Sequence, residues 1–280
     1  MASFIPHQFT MGSVFSQSMD ILGKNFWKFC GAVLLAWAAF LVLIIPLTML
    51  GFGVNALFQN LGTAAGFGNL ETVIPWISMG ALAIIAIITV LSFPMASIAY
   101  GTVQELRGQP FSFSQSMGWA LRYLVPTGIA TCLWSIAFTA FYGALIAAGI
   151  ALWSDAAWSN SLAFIGALFV CAILGGMFLY ARFLILIPAI VAEGLGPIAG
   201  LQRSYRLTAS YTLRIWFMTF LLWLVFFVIG TVAQFIPLIG PIAVNVVYSA
   251  LSGILAAVVY VELRRTKESF GIEEYAAVFD

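Results

Sequence analysis

The chain has 280 residues, of which 63% are apolar and only 8% charged, whereas an ordinary soluble domain carries about 25% charged residues. Eleven Lys and Arg against ten Asp and Glu leave a formal charge of +1, which excludes the strongly basic face that nucleic acid demands. So few charges cannot coat a water-facing surface of this size, so the medium around most of the chain is lipid.

In chain order, residues 1–28 include Asp20 and precede the first long apolar run. A cleavable signal would place a short apolar core near the start instead. Within this segment Phe15, Met19, Leu22 and Phe26 are spaced 4, 3 and 4, which predicts one apolar helix face. Ser16, Gln17, Asp20 and Lys24 take the other faces. The charge-free stretches that follow are tested against the about 20 apolar residues needed to cross a bilayer. They give six spans, at about 30–51, 74–99, 126–152, 162–182, 215–234 and 242–261. A polar, glycine-rich stretch over 55–69 separates the first two, and Pro237-Leu-Ile-Gly240-Pro241 breaks the last apolar run in two.

Six spans put both termini on one side, and all eleven cations then fall on that side. Lys24 and Lys28 precede span one, Arg107 and Arg122 lie between spans two and three, and Arg264, Arg265 and Lys267 follow span six. Arg182, Arg203, Arg206 and Arg214 lie at the ends of spans four and five or between them. The opposite loops hold Glu71 and Asp155 and no cation. An excess of Lys and Arg marks the cytoplasmic side, so both termini of this multi-pass chain are expected there. Trp76, Trp153 and Trp158 fall near the expected outer boundary, as in an aromatic belt.

Phe15-Ser-Gln-Ser-Met19 recurs as Phe113-Ser-Gln-Ser-Met117, and more weakly as Leu201-Gln-Arg-Ser204-Tyr205. Each copy precedes a pair of spans. Glu105-Leu-Arg107 after span two is echoed by Glu262-Leu-Arg264 after span six. The expected fold is all-α, a single transmembrane domain over 1–280. It is built from three repeats of a cytoplasmic amphipathic helix plus a helical hairpin, near 9–104, 105–192 and 193–268, with a tail over 262–280. The amphipathic helices either lie in the headgroup plane as anchors or offer a docking surface to a cytoplasmic partner.

Chemistry-bearing motifs are sparse. Cys30, Cys132 and Cys171 are odd in number and sit in apolar runs, so they read as small hydrophobes and not as a disulfide framework. His7 is the only histidine and no Cys-x-x-Cys occurs, which leaves none of the usual zinc ligand sets. There is no G-x-x-x-x-G-K-[ST], G-x-G-x-x-G, H-E-x-x-H or G-x-S-x-G. No Asp or Glu falls well inside a span, as a proton relay would require. Gln234 and Asn245 are the notable polar residues within spans, and helix-to-helix hydrogen bonds are expected of them. No cofactor, metal or catalytic residue is expected.

The densest motif runs from Ala181 to Thr208, ARFLILIPAIVAEGLGPIAGLQRSYRLT. It sets Arg182, Pro188, Glu193 and Ser204 at the cytoplasmic side as candidate site residues. Arg182 and Glu193 would stand about 16 Å apart along a straight helix, but Pro188 disfavours helix at Ile187, so a kink or break is expected. A sharp reversal would bring Glu193 back to Arg182; otherwise each pairs with another element. Arg182 either snorkels to the headgroups or makes a bidentate contact with Glu193 or with a phosphate-bearing lipid headgroup. Together with the Phe15–Phe26 helix and the closing Tyr260-Val-Glu-Leu-Arg264-Arg-Thr-Lys-Glu268, this segment resembles a known family over nearly the whole chain. That family is the membrane domain found with some bacterial glycerophosphoryl diester phosphodiesterases, together with related stand-alone inner-membrane proteins. The resemblance implies a polytopic helical membrane protein of undefined molecular role; the soluble catalytic barrel is not expected here, since the chain offers one histidine and no soluble segment of that size.

The expected function is therefore non-catalytic: a scaffold, assembly factor or regulatory partner of a membrane complex, in contact with membrane lipids and a membrane-protein partner. The alternative is a transporter, lipid-handling protein or channel subunit. The repeat favours it, as do Pro46, Pro94, Pro188 and Gly175-Gly176 in or near spans. An intramembrane enzyme is a third reading.

Overall fold

The computed structural model describes residues 9–42, 70–153, 162–237 and 239–268, and over these the chain is all-helical. In lipid a helix is the element that satisfies its own backbone groups. The elements are α1 (Met11–Lys24), α2 (Phe26–Val42), α3 (Leu70–Leu106), α4 (Phe113–Arg122) and α5 (Leu124–Trp153). They are followed by α6 (Leu162–Phe183), α7 (Leu186–Glu193), α8 (Pro197–Thr208), α9 (Thr212–Ala233) and α10 (Ile239–Glu268). Five stretches, α6 and α7 counted together, are long and apolar enough to cross a membrane, and a sixth is added if the bent pair α1–α2 is one span. Asp155 and Trp158 lie outside the described residues, as do His7, Pro46 and the tail over 269–280. The side chains of Glu71, Trp76 and Trp153 also lie outside them.

The short helices α1, α4 and α8 each lead into a long one after a break of one to three residues. The bend at the first break is 83°. Phe26, Leu124 and Thr212, where the long helices begin, each stand eleven residues after Phe15, Phe113 and Leu201. The residue before each start, Asn25, Tyr123 or Tyr211, accepts the first helical hydrogen bond, from Phe29 (3.1 Å), Thr127 (3.0 Å) and Ile215 (3.0 Å) respectively. The serine in the fourth position of each sequence copy, Ser18, Ser116 or Ser204, is fully buried.

Burial separates the long helices into central and peripheral ones. Within their spans α3 and α10 are 61% buried, whereas α5 is 6% buried. Every residue from Ala250 to Arg264 of α10 is buried, so that stretch is enclosed on all sides. Small residues allow the approach. A Cβ on Gly253 would stand 2.9 Å from Ile98 Cγ2 and 3.2 Å from Met95 Sδ of α3, the close helix contact that small residues permit in lipid.

α1 packs on α10 through Val14, Ser18, Ile21 and Leu22. The expected stripe is only partly that face. Leu22 is buried and Phe15 and Phe26 pack against the core, but Met19 is 54% exposed. The reason is that apolarity does not discriminate between a lipid-facing and a protein-facing side. Close packing does, and Ser18 is small and returns its hydroxyl to the Val14 carbonyl at 2.7 Å.

The break after α6 comes at Leu184–Ile185, earlier than Pro188 alone predicts. Pro188 occupies the first turn of α7, where its missing N–H is not needed. Gly194 ends α7 in the left-handed conformation at φ 64°, and Pro197 opens α8. A Cβ on Gly200 would clash with Ile190 of α7, so the glycine lets α8 fold back onto α7. Cys30, Cys132 and Cys171 are unpaired; Cys30 is buried, whereas Cys171 is exposed on the outside of the bundle. Asn245 does not bridge helices: its amide donates to the Pro241 carbonyl of its own helix at 2.9 Å.

Candidate functional site

The fold-back of α8 brings parts of the Ala181–Thr208 motif together. Because α6 breaks after Phe183, the carbonyls of its last turn lack intrahelical partners. Ser204 and Thr208 of α8 supply hydroxyl donors to the Arg182 carbonyl, at 3.0 and 3.1 Å. The role of Ser204 here is to cap a broken helix. Pro188 borders a cavity of about 150 Å³ at the same break, with Met95, Trp134, Tyr180, Leu184 and Ser252 also in its wall. The Tyr180 and Ser252 hydroxyls hydrogen-bond each other at 3.0 Å.

Arg182 and Glu193 do not pair. Glu193, the last residue of α7, is held by α8 and α10. Arg203 Nε donates to both its carboxylate oxygens at 2.9 Å, and the Tyr260 hydroxyl donates to Oε1 at 2.7 Å. Arg264 Nε approaches the same oxygen at 3.6 Å. Glu268 closes the group from the other side, accepting from Arg203 Nη2 at 2.8 Å and from Arg264 Nε at 3.0 Å. Arg264 Nη1 donates to the Tyr260 oxygen at 3.1 Å. Two guanidiniums thus neutralise two carboxylates around a phenol that is fully buried. Burial alone would lower the Arg203 pKa, but the hydrogen bonds and charges of Glu268 and Glu193 outweigh it and hold the pKa above its ordinary value.

Arg182 points elsewhere. Its guanidinium lies over two rings, 5.7 Å from the Phe178 centroid and 4.8 Å from that of Tyr205, a cation–π arrangement. Tyr205 follows Ser204 on α8, so the same fold-back that caps the carbonyl also sets the ring.

A second polar knot pins the α1–α2 corner to the end of α3. Asn25 Nδ2 donates to Glu105 Oε1, which also accepts the Phe111 amide at 3.2 Å. Lys28 Nζ reaches the Phe111 carbonyl at 3.0 Å. At the end of α10, Glu262 is 1% exposed and accepts from Arg265 Nη1 at 2.9 Å.

The candidate set Arg182, Pro188, Glu193 and Ser204 lacks the partners Arg203, Tyr260, Arg264 and Glu268, which the sequence offers only as basic residues near the span ends and as the closing motif. The signal for three of these was present: Tyr260, Arg264 and Glu268 are spaced four apart and share one face of α10. Among the described residues no group of three or more His, Cys, Asp or Glu is placed to hold a metal ion. Chemically, the Glu193 group ties three elements together by charge-assisted hydrogen bonds. No family model, curated protein or solved structure matches this chain.

Proposed function

We propose that the chain is a non-catalytic scaffold or regulatory partner of a complex in the bacterial inner membrane, with both termini in the cytoplasm. The observation that carries this reading is the Glu193–Arg203–Arg264–Glu268 clasp, in which the charged groups engage each other and not an open cavity. It fixes α7, α8 and the end of α10 into one rigid platform. The positive-inside pattern of the loops supports the orientation. The common eleven-residue offset and the buried serines support a threefold repeat, in which α1, α4 and α8 would be equivalent cytoplasmic-side elements. The sequence resemblance to the membrane domain associated with phosphodiesterases supports the same class.

The test is purification of the native protein from membranes in mild detergent, followed by identification of what accompanies it. A stoichiometric membrane-protein partner, lost when Ile198 and Leu201 on α8 are replaced by Asp, supports the scaffold reading. A protein that elutes without any partner and with retained lipid refutes it in favour of lipid handling. The cavity beside the α6–α7 break favours that second reading, since interrupted helices border binding sites in many transporters.

A further inference from the structure

We propose that Arg182 is a binding site for a phosphate group, carried by a membrane lipid headgroup or free in solution. This goes beyond the scaffold reading and does not depend on it.

Four of the cations at this end of the bundle are engaged, while Arg206 is exposed on α8. Arg203 and Arg264 are ion-paired to Glu193 and Glu268, Arg265 is paired to Glu262, and Lys267 donates to the Arg206 carbonyl. Glu193, the acid closest to Arg182 in the motif, is fully used by Arg203, Tyr260 and Arg264. Among the described residues Arg182 instead meets two aromatic rings and no carboxylate, and its Nη1 is buried without a hydrogen-bond partner. Rings stabilise the charge but leave the in-plane N–H donors of the guanidinium unmet.

The setting distinguishes this from snorkelling. A snorkelling arginine has a mobile head free in the headgroup layer. Here the Phe178 and Tyr205 rings hold the guanidinium, and Ser204 and Thr208 fix the backbone of the same residue. Phe178 and Tyr205 are 38% and 54% exposed, so the pair opens to the outside of the bundle at the cytoplasmic end of α6, where headgroup phosphates lie. A pre-oriented planar fork recognises a phosphate bidentately. Arg182 itself is only half-buried, so a headgroup can approach it from outside; the buried Nη1 joins that contact once the side chain turns.

The experiment uses the full chain in detergent, delipidated and then given one probe at a time: phosphatidylglycerol, phosphatidylcholine or inorganic phosphate. Native mass spectrometry counts bound lipid, and thermal unfolding reads the shift each probe causes. Wild type is expected to retain phospholipid and to gain thermal stability on adding it. Arg182→Lys keeps the charge and the fold but lacks the fork, so it should bind about ten- to a hundredfold more weakly, the loss of one charge-assisted hydrogen bond. Arg214→Lys, an exposed cation at the same end, should bind as wild type. A shift with phosphatidylglycerol but not inorganic phosphate assigns the site to a lipid. A shift with inorganic phosphate alone, absent in Arg182→Lys, assigns it to a soluble phosphate. Equal retention by wild type and Arg182→Lys, or no shift with any probe, overturns the proposal and leaves Arg182 a membrane anchor.

Discussion

Replacing Glu193 by Ala tests how much of the α7–α8–α10 platform rests on the clasp. The substitution leaves Arg203 and Arg264 to share Glu268, and it takes the acceptor from the buried Tyr260 hydroxyl. Removing one partner of a fully buried ion pair costs about 3–5 kcal/mol. Glu193 is 16% exposed and Arg203 23%, so water screens part of the charge, and about 2–3 kcal/mol is the expected loss. Tyr260→Phe removes one hydroxyl, which unseats a donor to Glu193 and an acceptor for Arg264; its cost should be about 1–3 kcal/mol. Because both changes strike the Glu193 Oε1 contact, the double variant should cost less than the sum, with a coupling of about 1 kcal/mol or more. The assay is reversible unfolding in mixed micelles of a mild detergent and increasing dodecyl sulfate, followed by tryptophan emission. A loss below about 1 kcal/mol for Glu193→Ala, or strict additivity with Tyr260→Phe, would show that the cluster is a surface ion pair in effect and would refute the reasoning.

On a cysteine-free background, Ser154→Cys and Thr266→Cys should label with impermeant reagent from opposite membrane faces, Thr266→Cys only from the cytoplasm; labelling from one face would sink the six-span topology. Val14→Asp, on the side of α1 that meets α10, should speed amide exchange throughout residues 11–24, whereas Met19→Asp should leave it close to wild type, and the reverse order would mean that α1 packs by its apolar stripe. Gly253→Val must displace Ile98 or Met95 and should cost about 1–3 kcal/mol. Gly12→Ala in open space on α1 should instead stabilise by about 0.5–1 kcal/mol, and a destabilising Gly12→Ala would contradict the packing of α1.

Much of the helical layout was legible because lipid imposes it. Charge-free stretches located the long helices, but their ends ran longer than expected: α3 reaches Leu106 where the apolar run stops near Ala99, and α10 reaches Glu268. Hydrocarbon thickness limits the apolar part of a helix, not the helix, which continues through the headgroup layer into water. The centrality of α3 and α10 was not read from apolarity, since the peripheral helices are as apolar. It was present in small residues, Ala96, Ala99, Ala250, Gly253 and Ala257, all buried. Of the site, the hinge around Gly194 and Pro197 was visible as punctuation. Which carboxylate would meet which arginine was not, because it depends on Gly200 letting α8 fold back over α7, a packing fact between elements and not a spacing within one.

The position of α10 carries a consequence for how the protein comes into being. Among the described helices it is the last in chain order, yet it is the element on which α1, α3, α7, α8 and α9 all pack. During synthesis the earlier helices enter the bilayer before the one that joins them exists. The Ala96 and Ala99 surface of α3 must wait in lipid, and Glu193 and Arg203 must wait without Tyr260, Arg264 and Glu268. Completion of the bundle is therefore a late event that depends on contacts of large sequence separation. A chain interrupted before Ala250 would be inserted in full up to that point and still lack its centre, leaving small-residue faces and unmatched charges for membrane quality control to recognise.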